Sequence, residues 1–508
     1  MTSFRQLGTY EKKLVGQALA GQSNGIIFSA KYISNAQDGL TDDATLLTNS
    51  EPLLLDSRLV NALQKMVLKH PELRTTVNEK LEFEEVKEIK TSDIITSVKF
   101  DSLKDEFVNC HLGAPPYLLR HIFNRNKFTP GSGKPLWELC VIDDSLVMFH
   151  GQDVLFDIFA AANFHKLFLE TLNSMDDEHI TDLEYIYRYD ATKSNRSISF
   201  PRTIYENPKL RIPGKTIDLV NLQTQSFFKS FYVNAIKKPL DIITFNSEPM
   251  KYIKPNEIDF MNEASALCGT TVFGHITTDR FEYLNSIARH ENVCIRSFIC
   301  GIALLCLKSM IKDFTGSITF SIPVNLRESI EGPSDFGLFY KTILVECPLS
   351  LIDDQVYNNI NVYNGYDNSN VKVPETDPTF EEKKLEYQFK QISDLVSTTM
   401  KERMRAWRRN GFNDDDIKKM KFTSDDKASN TKIIQINDVS EFKINSSKSS
   451  KVSIKELNFT HSISNSDFMS LSYTYCKETG SNICIHYPDA YDMEKFVERF
   501  QSFVADQQ

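Results

Sequence analysis

Apolar residues recur along the chain at two spacings, one suited to helices and one to strands, and the two alternate from end to end. Residues 14–20 and 59–69 repeat at the helical period, and the second run stops at His70-Pro71 because proline disfavours helical geometry in the residue before it. Residues 25–32 read as a strand, and 136–142 with 146–150 read as a hairpin around Asp143-Asp144-Ser145. A helix is predicted over 158–172. The vocabulary then repeats, with helices over 278–289 and 293–311 and strands over 317–323 and 341–347. Further strands are predicted over 452–459, 468–475 and 482–486, and a closing helix over 493–504.

Three stretches break the pattern. Residues 176–215 mix charges with Pro201, Pro208 and Pro213, residues 353–379 are rich in Asn, Asp and Tyr, and residues 440–451 are rich in Ser and Lys. The division that follows is an N-terminal half over 1–175, a linker over 176–215 and a C-terminal half over 216–508. The fold class is α/β (α+β), with mixed sheets in two halves of ordinary domain size.

Composition narrows the function classes. The chain has 508 residues, enough for a sizeable core, and its 35 phenylalanines carry much of that load. The formal charge is −10, and no Lys/Arg cluster is dense enough for a nucleic-acid face, so no nucleic-acid partner is expected. The nine cysteines are odd in number, form no CxxC pair and include several in apolar runs. That pattern fits buried, reduced thiols in a cytoplasmic protein, not a disulfide or zinc framework, and no metal is expected. The opening residues lack the apolar core of a signal peptide. The most apolar stretch, residues 294–311, holds Arg296 and Lys308 and reads as a buried helix, not a membrane span. Gly131-Ser132-Gly133-Lys134 lacks the full spacing of a phosphate-binding loop and reads as a turn.

A set of short motifs in collinear order resembles the fungal alcohol O-acetyltransferases, relatives of the plant BAHD acyltransferases, chloramphenicol acetyltransferase and peptide-synthetase condensation domains. The motifs are Arg5-Gln6-Leu7-Gly8-Thr9-Tyr10-Glu11, His70-Pro71-Glu72-Leu73, Lys134-Pro135-Leu136-Trp137-Glu138-Leu139, Ser321 to Arg327, Ser334-Asp335-Phe336-Gly337-Leu338-Phe339, Ile436-Asn437-Asp438 and Phe459-Thr460-His461-Ser462. The resemblance implies two chloramphenicol-acetyltransferase-like halves with a tunnel between them. It also implies acetyl-CoA as cosubstrate and a small alcohol, sterol or lipid-like amine as acceptor.

That family places its general base in a His-x-x-x-Asp motif, usually followed by Gly. Imidazole suits the task because its pKa lies near neutrality. The matching stretch here is Gly151-Gln152-Asp153-Val154-Leu155-Phe156-Asp157-Ile158, with Phe164-His165 in the family's downstream register. Asp157 therefore matches the motif's Asp, while Asp153 stands at the position of the catalytic His and Ile158 at that of the Gly. An ordinary carboxylate, with a pKa near 4, is a poor base for an alcohol.

His461 is the candidate for a displaced base, against a plain reading as a polar strand residue. Ser462 is either an oxyanion donor or a strand serine. Arg327 is either the partner of Asp157 across the two halves or a surface arginine, and Asn437 is a structural support. Strand alternation points His150 away from Asp153, and His165 reads as a packing residue.

Two functions follow. One is acetyl transfer from acetyl-CoA to an alcohol with an altered base; the other is a non-catalytic family member that binds a ligand or partner, most simply as a monomer. Two surface features bear on where it works. The basic run 401–409 reads as a solvated helix face, or as a contact for acidic lipid or a CoA phosphate. The closing helix aligns Met493, Phe496, Val497, Phe500, Phe503 and Val504, either to dock on the core or to lie on the endoplasmic reticulum or a lipid droplet.

Overall fold

The computed structural model describes residues 3–21, 23–34, 54, 56–99, 116–125, 128–175, 183–190, 200, 202–206, 269–290, 293–311, 316–330, 334–354, 378–410, 432–440, 442, 450–462, 467–477, 479–488 and 493–504. Two mixed sheets organise them. The first has five strands in the order Val452–His461, Ile26–Ser34, Leu146–Gly151, Trp137–Ile142, Ile95–Val98. The first four pair antiparallel and the last joins parallel.

The hairpin between Trp137–Ile142 and Leu146–Gly151 forms because Asp143 and Asp144 both accept left-handed backbone, with φ of 47° and 52°. Asp tolerates that region better than most residues. Register then fixes one end of the sheet. His461 lies opposite Ile26, Ile26 opposite Gly151, and Gly151 opposite Trp137. The helices Asp56–Lys69 and Ile158–Ser174 cover one face of this sheet, burying Leu63, Val67, Phe164 and Phe168 with Phe28 and Phe149 in one core. Trp137 sits within it and donates from its indole to the Leu73 carbonyl at 2.7 Å, so a large ring is buried with its polar atom satisfied.

The second sheet has six strands in the order Gly269–Ile276, Gly480–Pro488, Asp467–Cys476, Lys432–Val439, Ser317–Asn325, Tyr340–Pro348. The Lys432–Val439 strand pairs parallel with both neighbours. Ile295–Leu307 packs in its core and is apolar on nearly every side, as an internal helix must be. Gly301 lets the long Pro378–Asn410 helix approach, since a Cβ there would come within 2.7 Å of the Phe389 ring.

The predicted elements recur with shifted ends, and several features go beyond the sequence reading, among them the strands Ser3–Gln6, Thr75–Val77, Glu82–Glu85, Ile95–Val98 and Gly269–Ile276 and the helix Pro116–Arg125. The stretch expected as a linker carries the strand Tyr185–Arg188, paired with Glu88–Lys90, and a turn of 3-10 helix over Ile204–Glu206. The Asn-rich stretch 353–379 gives way at Pro378 to the 33-residue helix. Strand Lys432–Val439 was not anticipated. The late strand Val452–His461 belongs to the sheet built from early residues, although it lies beyond the expected boundary. Most of the Ser/Lys-rich stretch 440–451 lies outside the described residues.

On the closing helix Glu494–Val504, Phe496, Val497 and Phe500 are buried in the second core beside Met493, so that apolar face is used inside the protein. The side chains of Phe503 and Val504 lie outside the described set. Among the described residues, no helix is long and apolar enough to cross a membrane.

Candidate functional site

The aligned end of the first sheet brings together three segments distant in sequence. Gly25, at φ +86°, lets the chain enter strand Ile26–Ser34 hard against the end of Leu146–Gly151, where a Cβ would sit 2.2 Å from the Gly151 carbonyl oxygen. Only glycine fits there. This approach delivers Ser23 and Asn24 to the residues that follow Gly151. Those residues turn at once, with the amides of Leu155 and Phe156 both donating to the Gln152 carbonyl at 3.0 Å. The turn buries Val154, Leu155 and Phe156 and leaves the Asp153 side chain 16% exposed at the end of the sheet, beside His461.

Asp157 ends the turn and caps the helix Ile158–Ser174, accepting from the Ala160 amide at 2.7 Å. Its other oxygen accepts from the Phe339 amide at 2.9 Å and from an Arg327 guanidinium nitrogen at 3.0 Å. Arg327 also donates to the Gly337 carbonyl at 2.7 Å. Both side chains are buried. Asp157 is thereby fully engaged in holding the 327–339 segment against the start of the helix. Ile158 and Phe159 are buried in the first core, as is Phe156, whose ring meets Phe149 and Phe336 edge-on.

Asp153 makes different contacts. One oxygen lies 3.3 Å from Nε2 of His461 and the other accepts the Ser23 hydroxyl. Ser23 in turn lies 3.3 Å from the Ser462 hydroxyl, which accepts from the Asn24 amide at 2.9 Å. The Asn24 carbonyl accepts from Nε2 of His150 at 2.6 Å, and Nδ1 of His150 lies 3.0 Å from Glu138. A polar network therefore runs from Glu138 through His150, Asn24, Ser462 and Ser23 to Asp153 and His461. Burial alone pushes the Asp153 carboxyl up, but the charge and hydrogen bond of His461, the Ser23 hydroxyl and the charge of His150 hold it below its ordinary range.

His150 thus enters the same network as Asp153. It makes no bond to Asp153 itself: its ring packs edge-on against Phe123, while the preceding Phe149 packs in the first core. Ser462 is buried, its hydroxyl taken up by Asn24 and Ser23. Asn437 donates to the hydroxyls of Ser470 and Ser472 at 2.9 and 3.1 Å, a bond between neighbouring strands of the second sheet. His165 packs inside the first core, bonded to the Tyr32 hydroxyl and the Phe28 carbonyl, and burial lowers its pKa to about 4.

Tyr10 and Tyr340 also border the centre, with hydroxyls 2.8 Å apart. Burial, joined by the charge of Asp153, raises Tyr10 to about 12 and puts Tyr340 well above its usual value. The Tyr205 ring stands 4.2 Å from that of Tyr10. Of these, Tyr10 was signalled by the opening motif. Ser23, Asn24, Tyr205 and Tyr340 carried no signal of their own, since only the folded chain makes them neighbours.

Chemically, the arrangement presents a carboxylate with both oxygens engaged, one by the Ser23 hydroxyl and one beside Nε2 of His461. Among the described residues, no group of three or more His, Cys, Asp or Glu could hold a metal ion.

A sequence profile of alcohol acetyltransferases matches residues 49–336. PSTB2-interacting protein 1 of Saccharomyces cerevisiae is 47% identical over 525 residues, covering 99% of this chain and 100% of the relative. Among solved structures, the trichothecene 15-O-acetyltransferase TRI3 of Fusarium sporotrichioides superposes with a TM-score of 0.52 at 13% identity, covering 98% of this chain and 94% of that one. The first condensation domain of the calcium-dependent antibiotic synthetase gives 0.51 at 12% identity, covering 98% and 95%. These two likenesses show a fold shared with that acetyltransferase and that condensation domain.

Proposed function

The chain belongs to the alcohol acetyltransferase family, and from that premise we propose that it uses the family's fold for binding, not for base-catalysed acetyl transfer. The observation that carries this reading is Asp153, which stands where the family motif has its histidine and is held ionised by His461 and Ser23. A carboxylate stabilised as an anion has little tendency to take a proton from an alcohol at neutral pH, and general-base assistance is typically worth about 10²–10⁴-fold. The bound partner is a protein. The name of the yeast relative, an interactor of PSTB2, supports this, because 47% identity over nearly the whole chain makes a shared binding role economical.

A second reading is favoured by one contact. With Nε2 of His461 at 3.3 Å from Asp153, the pair is arranged as a histidine with its orienting carboxylate, and His461 would be the displaced base for transfer from acetyl-CoA. One experiment separates the two. Purified protein is assayed for CoA release from acetyl-CoA with short, branched and sterol alcohols, beside Asp153→His and His461→Ala, and the same preparations are tested for capture of purified PSTB2. Binding without turnover in the wild-type protein is the expected result. Turnover that His461→Ala abolishes would establish the second reading instead.

A further inference from the structure

The helix Pro378–Asn410 closes with the run Lys401-Glu402-Arg403-Met404-Arg405-Ala406-Trp407-Arg408-Arg409, in which five cations stand against one acid in a chain whose formal charge is −10. Its inner side is fixed. Met400 and Trp407 are buried in the second core, and the buried Lys341 ammonium lies 4.8 Å from the centre of the Trp407 ring. That contact holds the last turns of the helix against strand Tyr340–Pro348.

Spaced i, i+4, i+7 and i+8, Lys401, Arg405, Arg408 and Arg409 share the side turned away from Met400 and Trp407. Arg405 and Arg409 are exposed, and neither makes an ion pair among the described residues. Arg408 is half-buried, and its Nε is shielded from solvent without an acceptor among the described residues. Asp394, two turns before Lys401 on the same side, offsets the lysine and leaves the arginines to define the patch. Cations in the last turn of a helix serve its carbonyl end, which gives Arg408 and Arg409 one role but accounts for neither Arg405 nor the unsatisfied Nε.

The side chains select the occupant. A guanidinium is a planar fork of donors that matches a carboxylate bidentately. A bilayer offers diffuse charge, which lysine answers as well as arginine, and a surface that apolar side chains enter. The exposed residues of these turns, Glu402, Arg403, Arg405 and Arg409, include no apolar one. A CoA phosphate calls for donors that converge, whereas these stand on the convex side of a helix. Arg405 and Arg409 are about 6 Å apart along the axis, close to the roughly 6.6 Å between alternate residues of an extended chain.

We propose that the outer side of residues 401–409 is a docking surface for an extended acidic segment of a protein partner, with carboxylates at alternate positions meeting Arg405 and Arg409. The inference rests on reading the chain as a binder of proteins, and it names the place and the chemistry by which the partner is held.

The test is fluorescence anisotropy of the full chain with a labelled peptide of alternating Glu and Ser, beside the same peptide with Gln for Glu, at ~0.15 M salt. Each exposed arginine–carboxylate pair contributes up to about five-fold, so the acidic peptide is expected to bind at least about ten-fold more tightly. Arg405→Gln combined with Arg409→Gln lowers its affinity about ten-fold. Arg405→Lys combined with Arg409→Lys, which keeps the charge and loses the forks, falls between. Circular dichroism and unfolding midpoints of both variants should match wild type, since the positions are exposed. Equal binding of the two peptides overturns the proposal, and so does undiminished affinity in the double Gln variant. A double Lys variant as strong as wild type overturns the fork geometry. Sedimentation with phosphatidylserine vesicles in place of peptide binding reassigns the face to membranes and overturns it as well. The protein-capture assay above keeps this inference apart from the reading it rests on. A double Gln variant that captures the protein as wild type does removes this surface alone. Wild-type chain that binds the acidic peptide yet captures no protein and acetylates an alcohol refutes the binding role and leaves the peptide site standing.

Discussion

Arg327 and Asp157 lie 3.0 Å apart, both buried, and each also holds backbone: Asp157 the amides of Ala160 and Phe339, Arg327 the carbonyl of Gly337. The pair therefore clamps the 334–339 motif to the start of a core helix. Asp157→Ala is expected to remove a helix cap worth about 1 kcal/mol and to leave a buried guanidinium unpaired, a loss of roughly 3–5 kcal/mol. Arg327→Met, which removes the charge and keeps bulk, should cost less than Asp157→Ala because the cap survives. Urea denaturation of the two variants checks the order; equal losses would contradict it.

His165 sets an acid limit. Its folded pKa of about 4 lies below the ordinary 6.5, so it folds neutral while the unfolded chain takes up a proton first. The sign follows: stability is complete above about pH 6.5, declines as pH falls towards about 4, and the full loss is of the order of a few kcal/mol. His165→Gln, still able to bond Tyr32 and Phe28, should flatten the unfolding midpoint across that window. An unchanged slope in the variant would assign the acid sensitivity elsewhere.

Asp153 acts in a lower window with the same sign. Its folded pKa is depressed, so its stabilising contribution is present above the ordinary carboxylate value near 4 and is lost as pH falls through the folded value. Ser23→Ala removes a donor to the ionised form and should move the Asp153 carboxyl upward, read by carbon-detected NMR titration of that side chain. Loss of the one hydrogen bond should cost about 1 kcal/mol.

Gly25→Ala should destabilise by more than 1 kcal/mol, since the new Cβ meets both a positive φ and the Gly151 carbonyl. The variant should also lose the Ser23 and Asn24 contacts to Asp153, Ser462 and His150. Broad NMR resonances of His461 and His150 in an otherwise folded Gly25→Ala protein would mark that loss, and sharp unshifted ones would refute it.

Much of the fold was legible because its signals are local. The Asp143-Asp144 turn, the proline after His70 and the helical spacing of 158–172 each dictate structure within a few residues. The strand Lys432–Val439 escaped because its polar Gln435, Asn437 and Asp438 interrupt an apolar run; Asn437 and Asp438 are answered by Ser470, Ser472 and Arg296, distant partners that a local reading does not see. The candidate site divides the same way. Asp153, Asp157, Arg327 and His461 could be named from motif position. Ser23, Asn24 and Tyr340 could not, since their roles come from strand register and close backbone approach.

The strand Val452–His461 closes the first sheet against Ile26–Ser34, and this sets an order on the chain's birth. A ribosome delivers the N-terminal strands long before it delivers their neighbour. Until residues 452–461 are made, Ile26–Ser34 has an open edge, the kind of surface that recruits other strands. Completing the sheet requires contacts of high sequence separation, which form slowly. Nascent chains stalled before residue 452 should therefore depend on chaperones in a way that the released protein does not, and the centre containing Asp153 cannot assemble until His461 has been made.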